Sequence, residues 1–193
     1  MCGIVGFSGK MNRETMYKVL VESSVRGLHS FGYSYYDKIL TTKKFLDFDD
    51  AINSLFSDYP SLFIWHNRYS TSGVVDLDNA QPIHKGNLSL ALNGVISGDS
   101  KEDMESQFGF TLITENDAEV LVSKIDDIKD FSKGKTIAAV WLKDGKLFAF
   151  RNNFRPLYLH KENDSNIFYS TSDIGKRSGL DGLLIASNEI YEI

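Results

Sequence analysis

The second residue of this chain is its only cysteine. It stands in the opening run Met1-Cys2-Gly3-Ile4-Val5-Gly6. With Met1 removed, Cys2 carries a thiol and a free α-amine on one residue. The thiolate is the reactive form, and an unperturbed thiol with a pKa of about 8.5 is mostly protonated at neutral pH. An α-amine titrates near ~8, so it can take up that proton and return it. Cysteine is small enough beside Met1 for an aminopeptidase to trim the chain there. A lone cysteine also packs as a small hydrophobe, and a single-cysteine nucleophile needs partners elsewhere in the sequence.

Several segments offer such partners. His66-Asn67-Arg68-Tyr69-Ser70-Thr71-Ser72-Gly73 follows an apolar run and is dense in donors and acceptors. The planar fork of Arg68 suits a carboxylate, although a surface arginine in a polar loop explains it equally. In Asn93-Gly94 a side-chain amide and a glycine N–H can together donate to an oxyanion, and the same pair is a turn signal. Thr114-Glu115-Asn116-Asp117-Ala118-Glu119 opens a helix. There Asp117 either caps, with Thr114, or presents its carboxylate to a substrate ammonium. Arg26-Gly27-Leu28-His29-Ser30-Phe31-Gly32 is a glycine-framed turn, and Asn79-Ala80-Gln81-Pro82 a polar loop.

Other chemistries are set aside. His29, His66, His84 and His160 show no ligand spacing and one cysteine builds no usual zinc site, so neither a metal nor another cofactor is expected. Phosphate-loop and dinucleotide fingerprints are absent, as is a Gly-x-Ser-x-Gly elbow. The net charge of −5 argues against general affinity for nucleic acid or an anionic membrane. One cysteine excludes an internal disulfide framework and fits a reducing compartment. No apolar run approaches membrane-spanning length, and the start lacks a signal-peptide pattern, so the cytoplasm is the expected location.

The elements that must position these residues read as strand-rich. Ile4–Phe7, 32–36, Leu62–Trp65, 88–92, 136–142, 146–150, 156–159, 167–170 and 183–186 are expected strands. Lys143-Asp144-Gly145 marks a hairpin. Helices are expected over 12–25, 49–56 and 117–125 from apolar spacing. Hairpins imply antiparallel pairing, and too few helices alternate with strands for a doubly wound sheet. Residues 1–193 are expected to form a single α+β domain, its two sheets covered by helices.

The order and spacing of the polar segments resemble those of class II glutamine amidotransferase domains. The resemblance rests on the Met1–Gly6 opening, Arg26-Gly27…Ser30…Gly32, His66…Arg68…Ser70-Thr71…Gly73, Asn79–Pro82, Asn93-Gly94 and Glu115…Asp117…Glu119. Phe154-Arg155-Pro156-Leu157-Tyr158 and Tyr169–Asp173 look like the last core strands of that family. The likeness extends over nearly the whole chain, to the glutaminase domains of amidophosphoribosyltransferase, glucosamine-6-phosphate synthase and asparagine synthetase.

That resemblance implies an N-terminal-nucleophile hydrolase fold, a four-layer αββα sandwich of two antiparallel sheets. It implies that Cys2 attacks the side-chain amide of L-glutamine while its own α-amine shuttles the proton. Asn93 and the Gly94 N–H would hold the oxyanion, Arg68 the substrate carboxylate and Asp117 its ammonium. Thr71 would complete the pocket, and Arg26 with Gly27 would support Cys2. Four positions depart from the pattern. His29 stands where relatives carry Asp, Ser72 and Tyr69 where the sugar-phosphate synthase has His and Trp, and Val95 where asparagine synthetase has Glu. Because the chain ends near the expected end of this fold, the ammonia is expected to go to a separately encoded synthase. Competing expectations are hydrolysis of another γ-glutamyl amide, or a glutamine-sensing module without turnover.

Overall fold

A computed structural model describes residues 1–70, 74–162 and 164–193. Its strands form two antiparallel sheets. The larger contains β1 (Gly3–Gly9), β2 (Ser30–Asp37), β3 (Ile39–Phe45), β4 (Leu62–Arg68), β9 (Tyr158–Glu162), β10 (Ser165–Tyr169) and β11 (Leu183–Leu184), in the order β11-β9-β10-β1-β4-β2-β3. The smaller contains β5 (Ile83–Lys85), β6 (Leu88–Val95), β7 (Thr136–Lys143), β8 (Lys146–Arg151) and β12 (Ile190–Glu192), in the order β12-β8-β7-β6-β5. The helices are α1 (Arg13–Ser24), α2 (Phe48–Asp58), α3 (Lys101–Phe108), α4 (Ala118–Ser123), α5 (Ile128–Phe131) and α6 (Ser172–Ser178).

Side-chain alternation along the strands sorts the apolar residues into three layers of core. On β1, Val5 and Phe7 face Met16, Val19 and Leu20 of α1, with Ile52 and Leu55 of α2 and Ile174 of α6 in the same cluster. The intervening Ile4 faces the other way and joins Ile64 and Phe168 against Ala91, Ala138 and Val140 of the smaller sheet. The outer face of that sheet, Leu90, Leu92, Ile137 and Trp141, packs on Met104 of α3, Leu121 of α4 and Ile128 of α5. Each fully buried large aliphatic contributes about 1.5–3 kcal/mol. The result is the expected helix–sheet–sheet–helix sandwich. Alanines at 91, 138 and 149 leave room for the two sheets to meet.

Local chemistry sets the element ends. Asn12, Asp47 and Ser100 each accept a backbone N–H in the first turn of α1, α2 and α3, at 3.1, 3.0 and 3.2 Å. The hairpin read at Lys143-Asp144-Gly145 is present, with positive φ at both Asp144 and Gly145. Strands β3, β5 and β12, and helices α3, α5 and α6, add to the expected elements.

Two local expectations fail. Asn93-Gly94 is not a turn: both residues continue β6, opposite Ala138 and Ile137 of β7. Gly94 does not have the positive φ of an Asn-Gly turn. Glycine is needed there because a Cβ would fall on the carbonyl oxygen of Thr136. Nor does Asp117 cap α4 with its side chain. Asn116 Oδ1 receives the Ala118 N–H at 3.0 Å, and the Glu119 carboxylate collects the N–H groups of Ile113 and Thr114 and the Thr114 hydroxyl.

Candidate functional site

The antiparallel pairing of β1 with β4 sets Gly3 opposite Asn67, so the start of one strand meets the end of the other. Cys2 and Arg68 are thereby neighbours although 66 positions separate them. The Cys2 sulfur lies against the backbone of Tyr69. It receives the Tyr69 N–H at 3.5 Å and faces the Tyr69 carbonyl oxygen at 3.8 Å. Burial pushes the thiol above its ordinary pKa, while the Tyr69 backbone contact, the chain's N-terminal charge and Arg68 pull the other way. A buried thiol of this kind needs a base to generate thiolate at neutral pH.

The floor under Cys2 is built for close approach. A Cβ on Gly3 would collide with Ser23. Ser23 Oγ and Trp65 Nε1 both donate to Asn67 Oδ1, at 2.8 and 2.7 Å. Arg26 donates Nε to the Cys2 carbonyl at 2.9 Å, fixing residue 2 from the end of α1. Gly27 packs on β4: a Cβ there would lie 2.6 Å from the Arg68 carbonyl oxygen.

Cys2, Arg68, Gly94 and Asp117 line one small cleft, together with Tyr69, Gln81, Leu92 and Asn116. Arg68 is 3% exposed and donates Nη1 to the Val74 carbonyl at 2.9 Å. Asp117 accepts the N–H groups of Ile96 and Ser97 at 2.7 and 3.3 Å, which aims its carboxylate from α4 toward the end of β6. Burial raises the Asp117 pKa, opposed by those backbone donors and by Arg68. A cation and an anion thus share a cleft with a thiol. That arrangement can hold the charged head group of a free amino acid while a group further along its side chain meets sulfur.

Asn93 is 1% exposed and is not among the residues lining the cleft. It stands two residues after Ala91, on the face of β6 directed at the larger sheet. Its Nδ2 is buried without a hydrogen-bond partner among the described residues. An unpaired buried donor costs about 1–3 kcal/mol, so this amide lacks the partner that its burial calls for. Thr71 lies outside the described residues, as do Ser72 and Gly73.

Sequence reading did not find the framework around the cleft. Gln81 Oε1 receives the Leu92 N–H at 2.7 Å. Asn116 Nδ2 donates to the Asn79 carbonyl at 2.7 Å, and Glu115 N–H donates to Asn79 Oδ1 at 2.8 Å. The Asn79–Pro82 loop is therefore a buried polar strut joining β6 to the segment before α4. Its one signal in the sequence was two amides beside a proline. His66, fully buried, contacts the Leu92 carbonyl through Nε2 at 3.2 Å, and burial pushes its pKa down to about 3. It stays neutral and ties the two sheets together. Among the described residues, no three His, Cys, Asp or Glu side chains stand close enough to hold a metal ion, and no helix is long and apolar enough to cross a membrane.

No family model matches the chain. In sequence it is similar to glutamine–fructose-6-phosphate aminotransferase (isomerizing) of Helicobacter pylori, 26% identical over 97% of this chain and 32% of that protein. The same enzyme of Clostridium tetani is 30% identical over 72% of this chain and 24% of that protein. The chain spans about a third or less of the length of these curated relatives. In fold, all of the chain matches 47% of the glutamine phosphoribosylpyrophosphate amidotransferase of B. subtilis, with a TM-score of 0.78 and 22% identity. It also covers 94% of a glutamine aminotransferase class-II domain protein from Silicibacter pomeroyi, with a TM-score of 0.63 and 14% identity. The class II resemblance read from the motifs, and the N-terminal-nucleophile hydrolase fold it implied, are both borne out.

Proposed function

We propose that this chain, similar in sequence and fold to class II glutamine amidotransferases, is a glutaminase domain of that class. Residues 1–193 would act as one domain, hydrolysing L-glutamine to glutamate and ammonia through a thioester on Cys2. One observation carries the reading. Three sequence-distant segments bring a thiol, a guanidinium and a carboxylate to one cleft: Cys2, Arg68 and Asp117. The charged pair suits the α-carboxylate and α-ammonium of a free amino acid, which favours glutamine over amides lacking that head group.

The chemistry begins with loss of Met1. The α-amine of Cys2 then takes the thiol proton. The sulfur attacks the side-chain carbonyl carbon of glutamine, and the carbonyl oxygen becomes an oxyanion. The Asn93 amide and the Gly94 N–H donate to that oxyanion; the Asn93 Nδ2, without a hydrogen-bond partner among the described residues, supports this role. Collapse breaks the C–N bond, and the amine returns its proton to the departing ammonia. Water, deprotonated by the same amine, attacks the thioester and frees glutamate and thiol. Arg26 and Gly27 hold the Cys2 backbone and β4 in register. Thr71 is assigned to the remaining wall of the pocket on the strength of the motif alone.

The ammonia would be consumed by a synthase, in this proposal a separately encoded subunit. The cytoplasm fits a catalytic thiol that must stay reduced. Glutamate release by Met1-free protein, compared with Cys2→Ala, tests the activity. Turnover lost in the variant is the expected result, and equal glutamate release from both would defeat the proposal. Native mass spectrometry of the protein from its own cells tests the partner: a complex with a synthase chain is expected, and a chain found alone would remove that part.

A further inference from the structure

The segment that holds both the sulfur and the substrate charge is itself clamped by one side chain outside the cleft. His29 Nδ1 receives the Ser70 N–H at 2.8 Å. The backbone N–H of His29 donates to the Arg68 carbonyl at 3.0 Å. Its ring stacks on Tyr69, with centroids 5.1 Å apart and planes 26° from parallel. His29 thus contacts three consecutive residues, 68 to 70. Two of them face the cleft, and Tyr69 brackets the Cys2 sulfur with its N–H and carbonyl. In this contact Nδ1 is the acceptor and the Ser70 backbone the donor. A histidine at a turn is ordinarily no more than a local brace. Here the brace converges on the one segment that sets the geometry between thiol and guanidinium.

We infer that His29 is a positioning residue for glutamine hydrolysis, fixing residues 68–70 so that Tyr69 holds the Cys2 sulfur and Arg68 is aimed at the substrate carboxylate. The inference rests on the glutaminase reading. The family resemblance leads one to expect aspartate at this position. An imidazole Nδ1 accepts the same N–H without placing a negative charge near the thiol, where it would oppose thiolate formation.

Two variants separate the acceptor from the ring. His29→Phe keeps an aromatic face for Tyr69 and removes the acceptor. His29→Asn loses the ring but presents an amide oxygen near the position of Nδ1. Two readouts are taken on Met1-free protein: hydrogen exchange of the Ser70 amide without substrate, and kcat and KM for glutamine. His29→Phe is expected to speed Ser70 exchange about tenfold or more. It is also expected to raise KM as well as lower kcat, with kcat/KM down about tenfold to a hundredfold. His29→Asn is expected to restore both readouts to within about threefold. Loss of folded protein alone would lower kcat at unchanged KM, so a KM unmoved in His29→Phe overturns the inference. So does a His29→Asn protein as impaired as His29→Phe. A wild type that releases no glutamate overturns the glutaminase reading itself and this inference with it. That outcome is recognised because the Ser70 exchange difference persists.

Discussion

Replacing Asp117 by Asn removes a charge from the cleft and leaves its shape. The Asp117 carboxylate accepts the Ile96 and Ser97 N–H groups at 2.7 and 3.3 Å, and an amide oxygen can accept both. What disappears is the negative charge assigned to the substrate ammonium. Losing one partner of a buried, hydrogen-bonded charge pair costs about 2–5 kcal/mol. At about 1.4 kcal/mol per factor of ten, kcat/KM for glutamine should fall roughly 30-fold to several thousand-fold. Stability should move the other way. Burial raises the folded-state pKa of Asp117 above its unfolded value, so the ionised carboxylate subtracts from stability at neutral pH. That deficit shrinks as pH falls through the raised folded pKa and is gone below the unfolded value of about 3.9. The Asn variant should therefore melt at the wild-type temperature or above it at pH 7, with the advantage lost in acid. The assays are steady-state glutaminase kinetics and calorimetry at two pH values. A kcat/KM within about threefold of wild type refutes the ammonium role. A clearly lower Tm at pH 7 refutes the claim that the charge is held at a cost to folding.

Other substitutions separate the remaining roles. Asn93→Ala should lower kcat about a hundredfold to a thousandfold with little change in KM, because an oxyanion donor acts in the transition state; a KM effect alone would contradict this. Arg68→Lys should raise KM at least about tenfold, since an ammonium cannot bind a carboxylate through two parallel bonds, and unchanged KM would place the carboxylate elsewhere. Gly27→Ala should impair turnover and stability together, since the added methyl meets the Arg68 backbone and not a flexible side chain; a wild-type Tm would show that β4 tolerates the shift. In trimmed enzyme, kcat/KM should rise with pH as the α-amine, near ~8 when unperturbed, loses its proton, and a pH-flat profile would argue against that base.

The buried strands were legible because their apolar runs report burial directly: Phe63, Ile64 and Trp65 are all inaccessible to solvent. Strand β3 was not, because its residues are only partly buried or exposed and leave no clear alternation. Helix α3 buries Met104 alone, too little for a periodic signal, although its Ser100 cap and Gly109 terminus follow the usual rules. Asn93-Gly94 misled because dipeptide chemistry is local, whereas pairing with β7 decided the conformation. In the site, Cys2, Arg68, Gly94 and Asp117, which line one cleft, were readable from motif and order. The polar strut of Asn79, Gln81 and Asn116 was not, because its bonds join residues 11 to 37 positions apart. His29 was visible in the sequence as a departure, but its contact with Ser70 spans 41 positions and exists only in the fold.

The central claim is that an N-terminal Cys2 forms a thioester with the side-chain acyl group of glutamine. Acid quenching of Met1-free protein during turnover, followed by peptide mass spectrometry, tests it directly. The account predicts a glutamyl adduct on the peptide beginning at Cys2, discharged as the hydroxamate by hydroxylamine and absent from protein that retains Met1. Glutamate production with no adduct on that peptide, or undiminished production by protein that retains Met1, would contradict it.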